Sequence, residues 1–538
     1  MADLTVLHVA RGHGFPDDFL ETHEQAIARI DIEIESLLRN VRRLQFRKAQ
    51  HMESIKHYKG LTTLARRLPP ELLTCIFEDC IHDGWTRTPL TASHVCSEWR
   101  KATRIPTLWS HIYINSDAKD PYRRTLFWLE NSKGSPLQIT MDVRNDLSQM
   151  SGIMDLLLSH IQQWRTFTVN SILLRHANHI LSLCNRPAPE LRILNVSVVE
   201  ESLHDLDQPD IDDEHELVGM MGSFPEAPHF HTVRISRNIL PSHGTIPSSI
   251  TNLSIDLMRP SLPVRSSVDK VLRLLEGLPA LRNLSIALQY YGEERQFVPA
   301  LDENRRVVLP ELESLVLNGS PDIFRIVSHL TTPSLTRLHL RSTVELNGHA
   351  EEETGSYLRQ FLERASPPLD LFELHDMDLS LSDLSACLGA VPRLKELCLH
   401  ESDISDSIIQ QLHGPGALCP LLHKLDLRWC GQVTGRALVK LVHARRVSSG
   451  DGENHTLLGN GSVPIDSITI INCAFVEEQD IIDLAQTTIC RIVMQADDYC
   501  RRFGCCQNDR YRRRLELHQI AVMTRTSQNQ NGVGKLIA

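Results

Sequence analysis

Thirteen cysteines and twenty-six histidines are the residues of this 538-residue chain best suited to metal binding or nucleophilic chemistry, and their spacing decides whether either is open to it. The cysteines are scattered singly with no C-x-x-C pair, whereas a structural zinc site usually draws its ligands from such pairs. Cys500, Cys505 and Cys506 lie close together, yet a fourth ligand would have to come from elsewhere. Reduced, mostly buried thiols fit the pattern better than disulfides. The histidines form no H-E-x-x-H, and no G-x-S-x-G serine elbow is present. Gly12-His13-Gly14 and Gly532-Val533-Gly534-Lys535 are fragments of phosphate-binding loops without the full glycine spacing or the flanking strand and helix. No catalytic residue, metal site or cofactor is expected.

The polar residues are therefore read as binding groups, and a repeat places them. The pattern P-x-L-x-x-L-x-L, with Phe, Val or Ile sometimes replacing Leu, recurs in PELRILNV, PALRNLSI, PELESLVL, PSLTRLHL, PPLDLFEL, PRLKELCL and PLLHKLDL. Looser versions surround Phe167, Val233, Leu253 and Ile468. Within L-x-x-L-x-L the last two leucines point one way and the residues between them the other, so each repeat is one strand with one apolar row. Burying three leucines is worth about 5 to 9 kcal/mol, but ordering twenty-odd residues costs more, at about 1 to 2 kcal/mol each. Neighbouring repeats must stack. The result is a curved array with a parallel sheet on the concave side and helices or irregular segments on the convex side. Residues alternating with the leucines face the concavity: Arg337, His339 and Arg341, then Glu396, Cys398 and His400, then Lys424, Asp426 and Arg428. Their mixed charge suits a polar protein surface.

Further elements hold or interrupt this array. Residues 27 to 44 carry Ile27, Ile30, Ile34, Leu37, Val41 and Leu44 at alternating spacings of three and four, and after Lys48 and His51 the stripe resumes with Ile55 and Tyr58. A helix of about 40 residues with a heptad stripe is expected. Self-association through it competes with packing back on the rest of the chain. Residues 200 to 216 hold nine acids and no Lys or Arg, and residues 448 to 462 are rich in Ser, Gly and Asn; both read as solvated insertions. Arg501, Arg502, Arg510, Arg512, Arg513 and Arg514 form a basic cluster near the end of the chain. Between residues 110 and 300 the repeats are too degenerate to count.

The segment LPPELLTCIFEDCIHDGWTRTPLTASHVCSEWRKATRIPTLW, residues 68 to 109, differs from all of this. Pro69 and Pro70 preset φ at a helix start, and Glu71 complements the positive end of the helix dipole. Leu72 and Ile76, Leu73 and Phe77, and Phe77 and Ile81 fall four apart and make a broad apolar face. Gly84 is the expected stop. A second helix is expected to start with Thr88 as N-cap and Pro89 just inside, carrying Leu90, Val95 and Trp99 inward. Leu108 and Trp109 close a unit of about 45 residues, too small to stabilise itself comfortably without a partner.

The LPPELLTCIF opening, the VCSEWRKAT middle and the PTLW end resemble the F-box in order and spacing, with a longer connection at His82 to Thr88. The later CPLLHKLDLRWCGQVTGRALVKLV resembles the cysteine-containing leucine-rich repeat that often accompanies an F-box, although Ser402 stands where a neighbouring repeat would carry its cysteine. These resemblances imply an α/β chain: an N-terminal helix and three-helix F-box, then an irregular leucine-rich-repeat solenoid with a concave parallel sheet. The implied organisation is an amphipathic, coiled-coil-like helix at 17–60, the F-box at 65–113, the solenoid at 120–494 and a basic tail at 495–538. They further imply a non-catalytic substrate receptor of SCF-type cullin-RING ubiquitin ligases, bound to the Skp adaptor and through it to cullin, with a protein substrate on the repeats. Carried over by position, Leu68, Pro69, Pro70, Leu72, Leu73, Ile76, Phe77, Val95, Cys96 and Trp99 would meet the adaptor or support that face. A scaffold that binds the adaptor without directing ubiquitin transfer is the alternative.

The remaining composition limits the partners. A formal charge of −11 argues against a general nucleic-acid role, because phosphate binding needs a positive surface. No run reaches the roughly 18 apolar residues of a membrane span. The start MADLTVLHVARGHGF lacks the basic and apolar regions of a signal peptide, so a cytoplasmic or nuclear location is expected.

Overall fold

The computed structural model describes residues 17–62, 68–144, 150–199, 217–237, 240–241, 244–257, 268–288, 305–319, 321–342, 348–402, 404–430, 432–450, 462–473 and 475–493. The acidic insertion, most of the polar insertion, the basic cluster, both glycine motifs and Cys500, Cys505 and Cys506 lie outside them. The chain divides into two compact units between Leu108 and Trp109. No helix among the described residues is long and apolar enough to cross a membrane.

In the first unit, α1 (Asp17–Thr62) is one continuous helix, longer than the stripe alone required. Its stripe residues from Ile27 to Leu44 are between 47% and 59% exposed. Three short helices follow, α2 (Pro70–His82), α3 (Thr88–Ser93) and α4 (Ser97–Ala102), and then a tight turn of helix at Pro106–Trp109. Pro70 opens α2, and Gly84 leaves it with a φ of 93°, a left-handed conformation that a β-carbon would strain. Leu73, Phe77 and Ile81 are buried on one side of α2, and the Phe77 ring meets Trp99 edge-on with centroids 5.2 Å apart.

Two expectations fail within this unit. Thr88 does not cap the second helix from outside; it is the first helical residue, and its Oγ1 donates to the Trp85 carbonyl at 2.6 Å. The chain then turns at His94 and Val95, separating α3 from α4. That break changes the helical phase, so Val95 faces outward at 55% exposure instead of inward.

The second unit is built on fourteen strands: β1 (His111–Asn115), β2 (Leu137–Val143), β3 (Trp164–Ser171), β4 (Ile193–Val198), β5 (Thr232–Arg237), β6 (Asn252–Leu257), β7 (Asn283–Leu288), β8 (Ser314–Gly319), β9 (Arg337–Ser342), β10 (Leu371–His375), β11 (Glu396–His400), β12 (Lys424–Arg428), β13 (Ser467–Ile471) and β14 (Ile489–Val493). They form one parallel sheet whose spatial order is the chain order, with helices or irregular segments between successive strands. This is an α/β solenoid. All seven quoted octets fall on strands, each strand beginning at the fifth residue of its octet. Their apolar triplets, such as Leu335, Leu338 and Leu340, are at most 1% exposed. The looser matches at Phe167, Val233, Leu253 and Ile468 are strand residues as well, all buried. Strands β1, β2 and β14 carry no octet and were not anticipated.

Each of β10 to β13 ends in the same corner. Asp376, Glu401, Trp429 and Asn472, the residues just after these strands, have φ between 51° and 57°. The amides of Asp376, Glu401 and Trp429 donate to the last carbonyl of the next strand, at 2.9, 2.6 and 2.8 Å, so the ladder extends one step while the chain turns away. The following residue then binds the preceding repeat. Ser402 Oγ donates to the Met377 carbonyl at 3.0 Å, Cys430 Sγ contacts the Leu399 carbonyl at 3.2 Å, and Cys473 Sγ contacts the Leu427 carbonyl at 3.7 Å. The serine thus takes over the linking role of the cysteines.

Candidate functional site

In the first unit the anticipated docking residues separate into two sets. Leu72 (52% exposed), Ile76 (44%) and Val95 (55%) present apolar surface, and Pro69 and Pro70 are exposed beside them in sequence. Leu73 and Phe77 are buried, while Leu68, Cys96 and Trp99 are half-buried, so these five support the hairpin. Thr107 Oγ1 donates to Glu78 at 3.2 Å and Arg100 Nε donates to the Ser93 carbonyl at 2.8 Å, tying the short helices together. Trp85 is 73% exposed in the loop after α2 and was not singled out from the sequence. Its cue was available: a tryptophan among Asp, Gly, Thr and Arg has no helical face to join.

In the second unit, register brings β9 to β12 side by side. Arg337, Leu371, Glu396 and Lys424 form one row across these strands. His339, Glu373, Cys398 and Asp426 form the next, and Arg341, His375, His400 and Arg428 the third. All nine concave residues expected from sequence therefore lie on one patch. The two it lacked, Glu373 and His375, come from β10, whose octet PPLDLFEL puts them at the same alternating positions.

Glu373 and Asp426 organise the patch. His339 Nδ1 donates to Glu373 Oε2 at 2.7 Å, and His400 Nδ1 lies 3.5 Å from Glu373 Oε1. The hydrogen bond from His339 holds the Glu373 carboxyl below its usual range against the opposing effect of burial. Arg428 donates twice to Asp426, at 2.8 and 2.7 Å, and His400 Nε2 is 3.4 Å from the same carboxylate. Burial alone would raise Asp426, yet Arg428 and His400 hold it at about 2. Lys424 Nζ donates to Glu396 at 2.5 Å, and His375 Nε2 pairs with Glu401 at 3.2 Å.

Two groups here have the composition of a metal site. Cys398, His400 and Asp426 bring ligand atoms within 4.8 Å of one another, as do His375, Asp376 and Glu401. In the first group, however, the Arg428 guanidinium already occupies Asp426 and opposes a second cation. Burial, and then the neighbouring carboxylates Asp426, Glu373 and Glu396, push the Cys398 thiol up to about 12, so it keeps its proton at neutral pH. It is a poor ligand and a poor nucleophile in that state. The arrangement suits recognition of a polar surface.

The rest of the concave face differs in character. Asn195 Nδ2 donates to Thr168 Oγ1 at 2.9 Å, and Asn283 Nδ2 to Asn252 Oδ1 at 2.6 Å, in ladders of neutral amides and hydroxyls across β3 to β7. Only Arg234, Arg237 and Asp256 carry charge at the strand positions of β4 to β7. Charge and imidazole are concentrated on β9 to β12.

No curated protein sequence matches the chain. Among solved structures, the crystal structure of a Bacteroides fragilis protein is 12% identical, with 68% of this chain and 77% of that one covered and a TM-score of 0.27, too loose a similarity to define a relationship. The match of a family model is local. It falls on α2, α3, α4 and the residues flanking them, and it identifies residues 65–115 as an F-box-like domain.

Proposed function

We propose that this chain is the substrate-recognition subunit of an SCF-type cullin-RING ubiquitin ligase. The observation that carries the reading is the F-box-like match over residues 65–115, together with the exposed apolar set Leu72, Ile76 and Val95 within it. F-box domains typically bind the Skp adaptor, and helix-in-groove recognition draws most of its affinity from a few apolar anchors. Leu73, Phe77 and Trp99 hold those anchors in place. The adaptor joins cullin, and the charged patch on β9 to β12 receives a protein substrate. The chain then acts by proximity, presenting substrate lysines to a conjugating enzyme and supplying no reacting group itself.

Capture of the full-length chain by purified Skp adaptor tests the docking half. Leu72→Asp/Ile76→Asp/Val95→Asp changes only exposed positions, so it leaves the hairpin folded and lowers capture by more than about tenfold. Equal capture of wild type and variant, with unchanged circular dichroism, overturns the proposal. A scaffold would bind the adaptor equally well, so the second measurement is turnover. In cells depleted of the chain, proteins bound by its solenoid accumulate if it is a receptor and keep their half-lives if it is a scaffold.

A further inference from the structure

We infer that α1 pairs with α1 of a second copy of this chain, and that the two helices run antiparallel. This goes beyond adaptor docking and does not depend on it. The exposed seam is the first observation: Ile27, Ile34 and Val41 alternate with Ile30, Leu37 and Leu44 along one side of a continuous helix, and Ile55 returns to the same line at 54% exposure. β-Branched residues fill one seam position (Ile27, Ile34 and Val41) and Ile30, Leu37 and Leu44 the other, the apolar heptad seam of a coiled coil.

Charge decides what covers the seam. Residues 17 to 36 carry seven carboxylates and one basic residue, Arg29, whereas residues 37 to 62 carry seven basic residues and one acid, Glu53. A parallel, in-register partner would lay acid on acid and base on base. It would also stack Lys48 on Lys48 and His51 on His51 inside the seam. An antiparallel copy lays each acidic half on a basic half.

Placing the two-fold axis between Val41 and Leu44 pairs Val41 with Leu44, Leu37 with Lys48, Ile34 with His51, Ile30 with Ile55 and Ile27 with Tyr58. Each polar seam residue then meets an aliphatic one, and the Lys48 stem can lie on Leu37 while its ammonium reaches water. In this register Glu24 and Lys59 flank the seam opposite one another at both ends of the dimer. The oppositely charged halves thus select an antiparallel second copy, and the pairing of each polar seam residue with an aliphatic one selects the register.

The test uses full-length protein. Unlabelled and nitrogen-15-labelled chains are mixed, treated with a zero-length carbodiimide and analysed for mixed-isotope peptides, with sedimentation giving the mass. The expected result is a dimer with a mixed-isotope Glu24–Lys59 link. Within one helix these residues are about 50 Å apart, so the link cannot be internal. Lys56→Glu/Lys59→Glu should weaken dimerisation about tenfold, and adding Glu21→Lys/Glu24→Lys to the same chain should restore it. Restoration requires the antiparallel arrangement, because a parallel pair would keep like charges opposed. A chain that stays monomeric, links from α1 to its own solenoid in peptides of one isotope, or failure of the second pair to compensate in a variant that retains its helicity overturns the inference. Adaptor capture remains intact in the charge variants, so failure here is distinguishable from failure of docking.

Discussion

Glu373 and Asp426 make the strongest demands of any residues on the concave face, because half-buried carboxylates persist there only while their donors do. Asp426 has a usual value near 4 and is held at about 2. A lowered carboxylate stabilises the fold above its unfolded value and loses that contribution as pH falls through the folded one. Acid should therefore loosen β10 to β12 between roughly pH 4 and pH 2, and Asp426→Asn should flatten this part of the melting-temperature profile. An unchanged acid slope in the variant would place the effect elsewhere. Arg445 shows the converse, a buried cation used for structure. It is 1% exposed, and its guanidinium donates to the carbonyls of Leu412, Leu422, Leu418 and Cys419 at 2.8, 2.7, 3.1 and 3.0 Å. Burial lowers it to about 10, still charged at neutral pH. Arg445→Met leaves four acceptors without this donor and should cost at least about 3 kcal/mol in urea unfolding.

Strands were more legible than the segments between them, for a physical reason. An octet with Leu at fixed places encodes both the strand and its face, so PSLTRLHL and PRLKELCL could be placed without any knowledge of their neighbours. Strands β1 and β2 bury Ile112, Ile114, Ile139 and Met141 just as deeply, but β-branched and methionine side chains without the leading proline break the visible pattern. The break at His94 and Val95 escaped because no proline or glycine marks it, and the F-box-like face was consequently assigned Val95 for its position in the motif and the wrong orientation in the helix. Left-handed corners at Glu401 and Trp429 carry no local signal either, since neither residue type favours that conformation. The corner after β11 offers a direct check. Ser402→Ala removes the bond to Met377 and should cost about 1 kcal/mol, whereas Ser402→Cys, which copies the neighbouring repeats, should cost less. Chemical denaturation of the two variants compares them.

At the scale of the molecule, the sheet determines how a local defect spreads. Fourteen strands in chain order mean that every interior strand pairs only with its predecessor and its successor. Stability in such an array is the sum of individual repeats and their nearest-neighbour interfaces, with no single core to fail at once. The candidate substrate patch lies on β9 to β12, toward one end of the array, so it can loosen while the opposite end remains intact. Leu425 on β12 is 1% exposed, and Leu425→Ala should remove about 2 to 5 kcal/mol locally. Hydrogen exchange should then accelerate in β11, β12 and β13, while β1 to β4 keep their protection. The patch would also lose its geometry, because Asp426 and Arg428 sit on the same strand as the deleted side chain. Uniform acceleration across all fourteen strands would instead mean that the solenoid unfolds as one cooperative body, and the patch could not then be weakened independently of the rest.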